Sequence, residues 1–206
     1  MFYDPRKNLR PEPLSFNPFN ALVAPRPIGW ISTVNRAGNH NLAPFSYFGG
    51  LSSDPAMVNI AINSQDFKGT AKDTLKNLRE IPEFVVNIVS WGLHEQMNQT
   101  SKDYPYGDDE FTAAGLSKEA STSVSPPRVK EVKAALECTV HDIIELPSNE
   151  GQRTSNLVIG IVSGIFIDDS VIDNGRVQAE RLQQVSRLGY MDYAVVDKTF
   201  EILRPK

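Results

Sequence analysis

Phosphate binding is the first chemistry that these residues allow. Thr70-Ala71-Lys72-Asp73 follows the S/T-x-x-D/E pattern of a helix start, and Ala71, Leu75 and Leu78 repeat behind it at helical spacing. A helix N-terminus carries unpaired N–H groups and the positive end of a dipole, which suits a phosphate. Lys72 and Thr74 in the first turn, with Lys68 upstream, could add an ammonium and a hydroxyl. Spacing alone favours a plainer reading, in which Lys72, Lys76 and Arg79 form a solvated stripe. A second constellation suits a flat ring. Ser32 and Thr33 are small polar residues in an apolar strand, and Ala43-Pro44-Phe45-Ser46 places an aromatic beside backbone groups that proline releases from a ladder. The alternative is a strand with Ser and Thr facing water and Phe45 in the core.

Other chemistries are excluded by what is missing. The sequence has no G-x-G-x-x-G, no G-x-x-x-x-G-K-S/T and no G-x-S-x-G. His94-Glu95 is followed by Asn98 where a zinc protease motif needs histidine, and His40, His94 and His141 stand far apart. No metal is expected, and these histidines read as surface or hydrogen-bonding groups. Cys138, the single cysteine, allows no internal disulfide and reads as core. That usage fits a reducing cytoplasm. With 21 basic and 25 acidic residues the net charge is −4, which argues against nucleic acid as a partner. The most apolar run, 157–167, is interrupted by Gly160, Ser163 and Gly164 and falls short of the about 20 residues of a membrane span. The N-terminus lacks the apolar stretch of a secretory signal.

The elements that must position these groups are short. Over 206 residues, 13 glycines and 14 prolines are scattered, with no repeat and no linker between two cores, so one domain is expected. Residues 1–27 hold six prolines and read as an extended arm. Strands are predicted over 28–34 and 40–48, joined by a loop in which Gly38 takes positive φ, with the second strand bending at Pro44. Further strands are predicted over 57–62, 84–89, 136–146 and 156–168, the last two joined by a turn at 147–153. A short segment near Val195 is expected to close the sheet. Helices are predicted over 71–80, stopped by Pro82, over 91–100 with Ser90 as cap, and at 108–111, closed by Gly115. The polar stretch 117–127 reads as a surface loop rather than a lid. Strands outnumber helices without alternating with them, which favours a small antiparallel barrel with peripheral helices.

Together these segments resemble the flavin reductase-like proteins of the FMN-binding split-barrel fold. The likeness is carried by residues 25–33 (PRPIGWIST), Gly38, residues 41–48 (NLAPFSYF), Ser53-Asp54-Pro55, Lys72-Asp73-Thr74, residues 83–87 (EFVVN), Leu136-Glu137-Cys138 and Ser186-Arg187-Leu188-Gly189. One departure is Tyr190, where a second glycine often follows Arg-Leu-Gly. The resemblance implies a mainly β, Greek-key split barrel that holds FMN at a homodimer interface. It implies that Ser32 and Thr33 lie along the flavin or its ribityl chain, and that Ala43, Pro44, Phe45 and Ser46 line the ring. Lys72, Asp73 and Thr74 would hold the phosphate end, Asp73 as helix cap, with Arg26 and Arg187 as further contacts and Arg79 left on the solvated face. It implies an oxidoreductase that takes hydride from NAD(P)H and serves a small electron acceptor, such as a ferric chelate, or an oxygenase or other redox partner. The competing class is a non-enzymatic FMN electron carrier.

Overall fold

The computed structural model describes residues 1–7, 10–64, 70–149 and 153–205. Lys68 and part of the expected turn at 147–153 lie outside the described residues. After a short helix α1 (Phe19–Leu22) come strands β1 (Arg26–Pro27), β2 (Gly29–Val34), β3 (His40–Phe45), β4 (Phe48–Ser53) and β5 (Ala56–Asn63). Helix α2 (Asp73–Glu80), strand β6 (Glu83–Ile88) and helices α3 (His94–Gln99) and α4 (Glu110–Ala113) follow. The remainder is β-rich: β7 (Lys118–Glu119), β8 (Arg128–Val129), the long pair β9 (Ala134–Leu146) and β10 (Ser155–Ile167), β11 (Ile172–Asp173) and β12 (Arg176–Val177). Helix α5 (Ala179–Leu182) leads into β13 (Val185–Arg187) and β14 (Tyr193–Val195). Among the described residues no helix is long and apolar enough to cross a membrane.

Seven strands form one antiparallel sheet in the order β3-β2-β6-β9-β10-β5-β4. Its two end strands, β3 and β4, are joined by only Ser46 and Tyr47. A link that short can connect opposite ends of a sheet only if the sheet curls round on itself. The result is a split barrel whose open seam lies between β3 and β4, as the mainly β, antiparallel expectation requires. Pro44 explains where the seam falls. Leu42 points its N–H away from β2, to Glu110 Oε2 at 2.9 Å. By strand alternation the N position of Pro44 also points outward, so its missing N–H removes no ladder bond. The predicted strand 40–48 is therefore two strands: pairing with β2 ends at Phe45, and pairing of β4 with β5 begins at Phe48.

Strand alternation divides the core in two. Ile31, Phe84, Val86 and Cys138 face the barrel interior with Ile60, Ile62 and Val158, and Leu75 and Leu78 of α2 complete that cluster. Trp30 and Val85, one residue out of phase, face the other side, under Leu93, Met97 and Phe111. Strand β2 is thus buried on both faces along its whole length. Cys138 is core, and burial pushes its thiol up to about 12.

The segment near Val195 does not close the barrel. Strand β14 pairs with β13, which pairs with β1, in a separate three-stranded sheet. The loop at 117–127 is fastened to the barrel wall: Thr122 N–H donates to Glu137, Ser125 N–H to Glu83, and Ser32 Oγ to Pro127 O at 2.6 Å.

Packing inside the barrel is close enough to forbid a methyl group at Gly160. A Cβ there would collide with Phe84 Cζ, and the Phe84 ring is fully buried. Gly160→Ala is expected to cost about 1–3 kcal/mol in urea unfolding, the range for overpacking a filled core. A loss under roughly 0.5 kcal/mol, the surface-substitution range, would show that the ring can retreat.

Candidate active site

Helix α2 sets one end of the site. It begins at Asp73, later than the predicted Ala71, with extended backbone at the cap residue Lys72 (φ −66°, ψ 155°) and no side-chain cap bond. The reason is tertiary. Ala71 packs on the barrel core, and Thr74 is buried with its hydroxyl accepting from Asn41 Nδ2 at 3.0 Å. These two anchors fix where the chain can first turn, so the helix does not start from Thr70. Asp73 is the first helical residue rather than the cap, and it pairs with Lys76 at 3.0 Å. The N–H groups of the first turn have no partner four residues back, by the geometry of the helix.

A buried chain of amides and hydroxyls aligns that helix with β3. Asn41 and Asn77 both donate to Thr33 Oγ1, at 3.3 and 3.0 Å, and Tyr106 OH contacts Asn77 Oδ1 at 3.4 Å. Thr33 therefore works behind the cleft. Ser32 is fully buried too, bonded to Pro127 O and receiving Asn87 Nδ2 at 3.4 Å. Neither residue lines the cavities beside α2 and β3.

The cleft itself, 240 Å3, has Ala43, Pro44 and Phe45 on one wall and Lys72, Asp73, Thr74 and Lys76 on another. Residues 100–106 and Glu110 complete it. Pro44 and Ser101 are shared with a neighbouring cavity of 410 Å3, which Ser46, Arg26, Arg187 and Tyr190 also line. Arg187, Met191 and Tyr193 are shared in turn with a third, more apolar cavity of 520 Å3 against Trp91 and His94. One continuous groove thus runs from the start of α2, along the outer edge of β3, to the small C-terminal sheet. It gathers nine of the eleven residues that the resemblance assigns to the cofactor and omits Ser32 and Thr33.

The two arginines are already engaged. Arg26 is buried and donates to the carbonyls of Asn20, Val23 and Leu188, which ties α1 to the C-terminal segment. Arg187 donates to Tyr190 O and stacks over the Tyr193 ring at 4.4 Å. Tyr190, the departure from the family glycine, keeps the left-handed backbone that a glycine would favour (φ +57°). Its ring packs edge-on against Phe16 at 5.8 Å.

Sequence reasoning missed Glu110, a titrating group on this groove. It lines the cleft and is 6% exposed. Burial, with the nearby Asp73 and Asp109 carboxylates in support, pushes its pKa up to about 7 against the pull of the Leu42 N–H bond. The signal available was the acidic run Asp108-Asp109-Glu110, which reads as a helix start; Asp109 does cap α4 by accepting from Phe111 N–H at 3.1 Å. The 100–106 wall was missed as well. Its head is held by Trp30, whose Nε1 donates to Thr100 Oγ1 at 2.9 Å.

Comparison with known proteins agrees with this architecture. Residues 22–191 match the family model described as flavin reductase like domain. A protein of Aquifex aeolicus is 37% identical over 82% of this chain and 83% of its own length. Nitrilotriacetate monooxygenase component B from Bacillus cereus superposes with a TM-score of 0.88 at 29% identity, covering 98% of both chains. A candidate flavin reductase with a split barrel domain from Shewanella frigidimarina superposes at 0.79 with 25% identity, over 91% of this chain and 90% of that one. With the family model spanning every strand of the barrel, the α2–β3 cleft and two of the three strands of the small sheet, this chain belongs to the flavin reductase-like domain family.

Proposed function

We propose that this protein is an FMN-binding oxidoreductase that draws hydride from NAD(P)H and passes electrons to a small acceptor or an oxygenase partner. The observation that carries the reading is one groove with two unlike ends. At α2 it offers first-turn N–H groups and the Lys72 ammonium; beyond Pro44 it widens along an edge strand whose outward backbone groups are not committed to a ladder. That donor set fits FMN, an anionic tail on a flat ring. Lys72, Thr74 and the start of α2 would hold the phosphate, and Ala43, Pro44, Phe45 and Ser46 would line the ring. Thr33 acts one layer behind, by fixing Asn41 and through it Thr74.

Bound FMN supplies hydride acceptance and electron release singly or in pairs. The residues of this chain supply binding, orientation and local charge. Donors at the ring edge would favour negative charge gathering there, and the open groove leaves room for a nicotinamide to approach in reacting geometry. No general base is required. The oxygenase branch of the proposal follows the B. cereus relative, which is a monooxygenase component. Exposed Phe16, Tyr190 and Met191 at the groove's rim suit a face covered by a second copy, and sedimentation at micromolar concentration would register the dimer.

The deciding experiment mixes FMN-loaded protein with NADH or NADPH without oxygen. Rapid bleaching of the flavin is the expected result; a flavin indifferent to both nicotinamides would mark an electron carrier instead. Lys72→Ala tests the phosphate end. It is expected to weaken FMN binding by about 1.5–3 kcal/mol, or roughly 10- to 150-fold, and riboflavin binding hardly at all. Equal affinities for wild type and variant in calorimetry would remove α2 from the site. Thr74 is the poorer probe, because its hydroxyl also satisfies Asn41.

A further inference from the structure

The lining of the cleft holds an acid where the proposed ligand brings its own negative charge. Glu110, the first residue of α4, is nine-tenths buried, accepts one hydrogen bond from Leu42 N–H, and shares the cleft with Lys72 and Thr74. We propose that Glu110 couples occupancy of this cleft by a phosphate monoester to the uptake of a proton from solvent, so that discrimination between phosphorylated and unphosphorylated flavin depends on pH. The inference rests on the FMN reading above and adds a specificity-determining residue to it.

The charges around Glu110 come from every element packed on it. Helix α2 presents Asp73, neutralised by Lys76 at 3.0 Å, and Lys72 at its cap. The 100–106 wall presents Lys102, Asp103 and the phenols of Tyr104 and Tyr106, the last lying 4.7 Å from Lys76 Nζ. Asp109, the neighbour of Glu110, is held below the usual carboxylate range by Lys118, which also contacts His40 Nδ1 at 3.0 Å. Lys118 and His40 therefore serve Asp109 and leave Glu110 to the cleft. In the free protein the Glu110 carboxyl already sits near neutrality, at about 7, because burial disfavours its charge. A phosphate monoester, whose second ionisation falls near 6, would enter as a dianion. Two anions in 240 Å3 repel strongly. Lysines attract the ligand, but protonating Glu110 removes the repulsion at its source.

Titration calorimetry of the full chain, with FMN and with riboflavin in two buffers of different ionisation enthalpy, counts the protons. At pH 7.5 the wild type is expected to take up about half a proton per FMN and none per riboflavin. Glu110→Gln keeps a side-chain oxygen for Leu42 N–H but cannot titrate. It should take up none, and should bind FMN roughly tenfold more tightly than the wild type at pH 8.5 and about equally at pH 6. FMN binding with the same proton count in wild type and variant would overturn the inference while leaving the flavin reading intact. If the variant does not fold, equal counts for FMN and riboflavin in the wild type overturn it equally well. Failure of the wild type to bind FMN at any pH is a separate outcome, which would sink the flavin reading and this inference with it.

Discussion

Trp30→Ala is expected to cost about 3–5 kcal/mol in urea unfolding, the range for truncating a large buried aromatic. Trp30 is fully buried under α3 and α4, among Leu93, Met97 and Phe111. Its second task is positional. The indole N–H holds Thr100 Oγ1, and that hydroxyl in turn donates to Met97 O at 2.8 Å, so one side chain fixes the end of α3 and the head of the 100–106 wall. Trp30→Phe separates the two tasks: it keeps most of the apolar volume and loses the donor. It should cost about 1 kcal/mol of stability yet still weaken ligand binding by loosening the wall. A Trp30→Ala loss under about 1 kcal/mol would mean that this face of β2 is not packed as described.

The second large effect is a dependence of stability on pH with Glu110 as its source. Its carboxyl is about 7 in the folded protein against an ordinary 4.5. The folded state therefore binds more protons than the unfolded chain between those values. Stability is fully present below about 4.5, falls as pH rises, and levels off above about 7. The conversion of 1.36 kcal/mol per pKa step makes the loss on the order of 3 kcal/mol. Glu110→Gln should remove this slope, leaving the variant more stable than the wild type at pH 8 and close to it at pH 5. Urea midpoints at the two pH values give the answer, and a wild type whose stability rises from pH 5 to 8 in step with the variant would contradict the assignment.

Local pattern went far for this chain because its strands are rich in β-branched and aromatic residues. Runs of β-forming residues located β5, β6, β9 and β10 to within a few residues, and Gly38 adopts the positive φ (83°) that its loop position called for. Pro44 was legible as a residue that cannot donate to a ladder and so suits a free edge, since a missing N–H is a property of the residue itself. Its consequence was not legible: whether the chain bends within one sheet or crosses to the opposite edge depends on which strands lie at the two ends of the order. The start of α2 shows the same division. The capping pattern at Thr70 is a local preference, and it lost to the packing of Ala71 on the barrel core and the burial of Thr74 against β3.

Residue chemistry and spacing were enough to favour a mainly β barrel with peripheral helices, whereas Lys72 and the segment 43–46 were joined as two ends of one site only by the family resemblance. They could not separate residues that face the groove from residues that hold it in place. Ser32 and Thr33 read as ligand contacts because small polar groups in an apolar strand demand partners, but their partners are Pro127 O, Asn41 and Asn77. Glu110 reads as a helix-start acid, and only the approach of β3 and α2 buries it and makes it titrate near neutrality. Burial is a property of the assembled layers, and a side chain's charge and accessibility follow from burial; this is why the fold's class was written along the chain while the electrostatics of its cleft arose only when distant segments met.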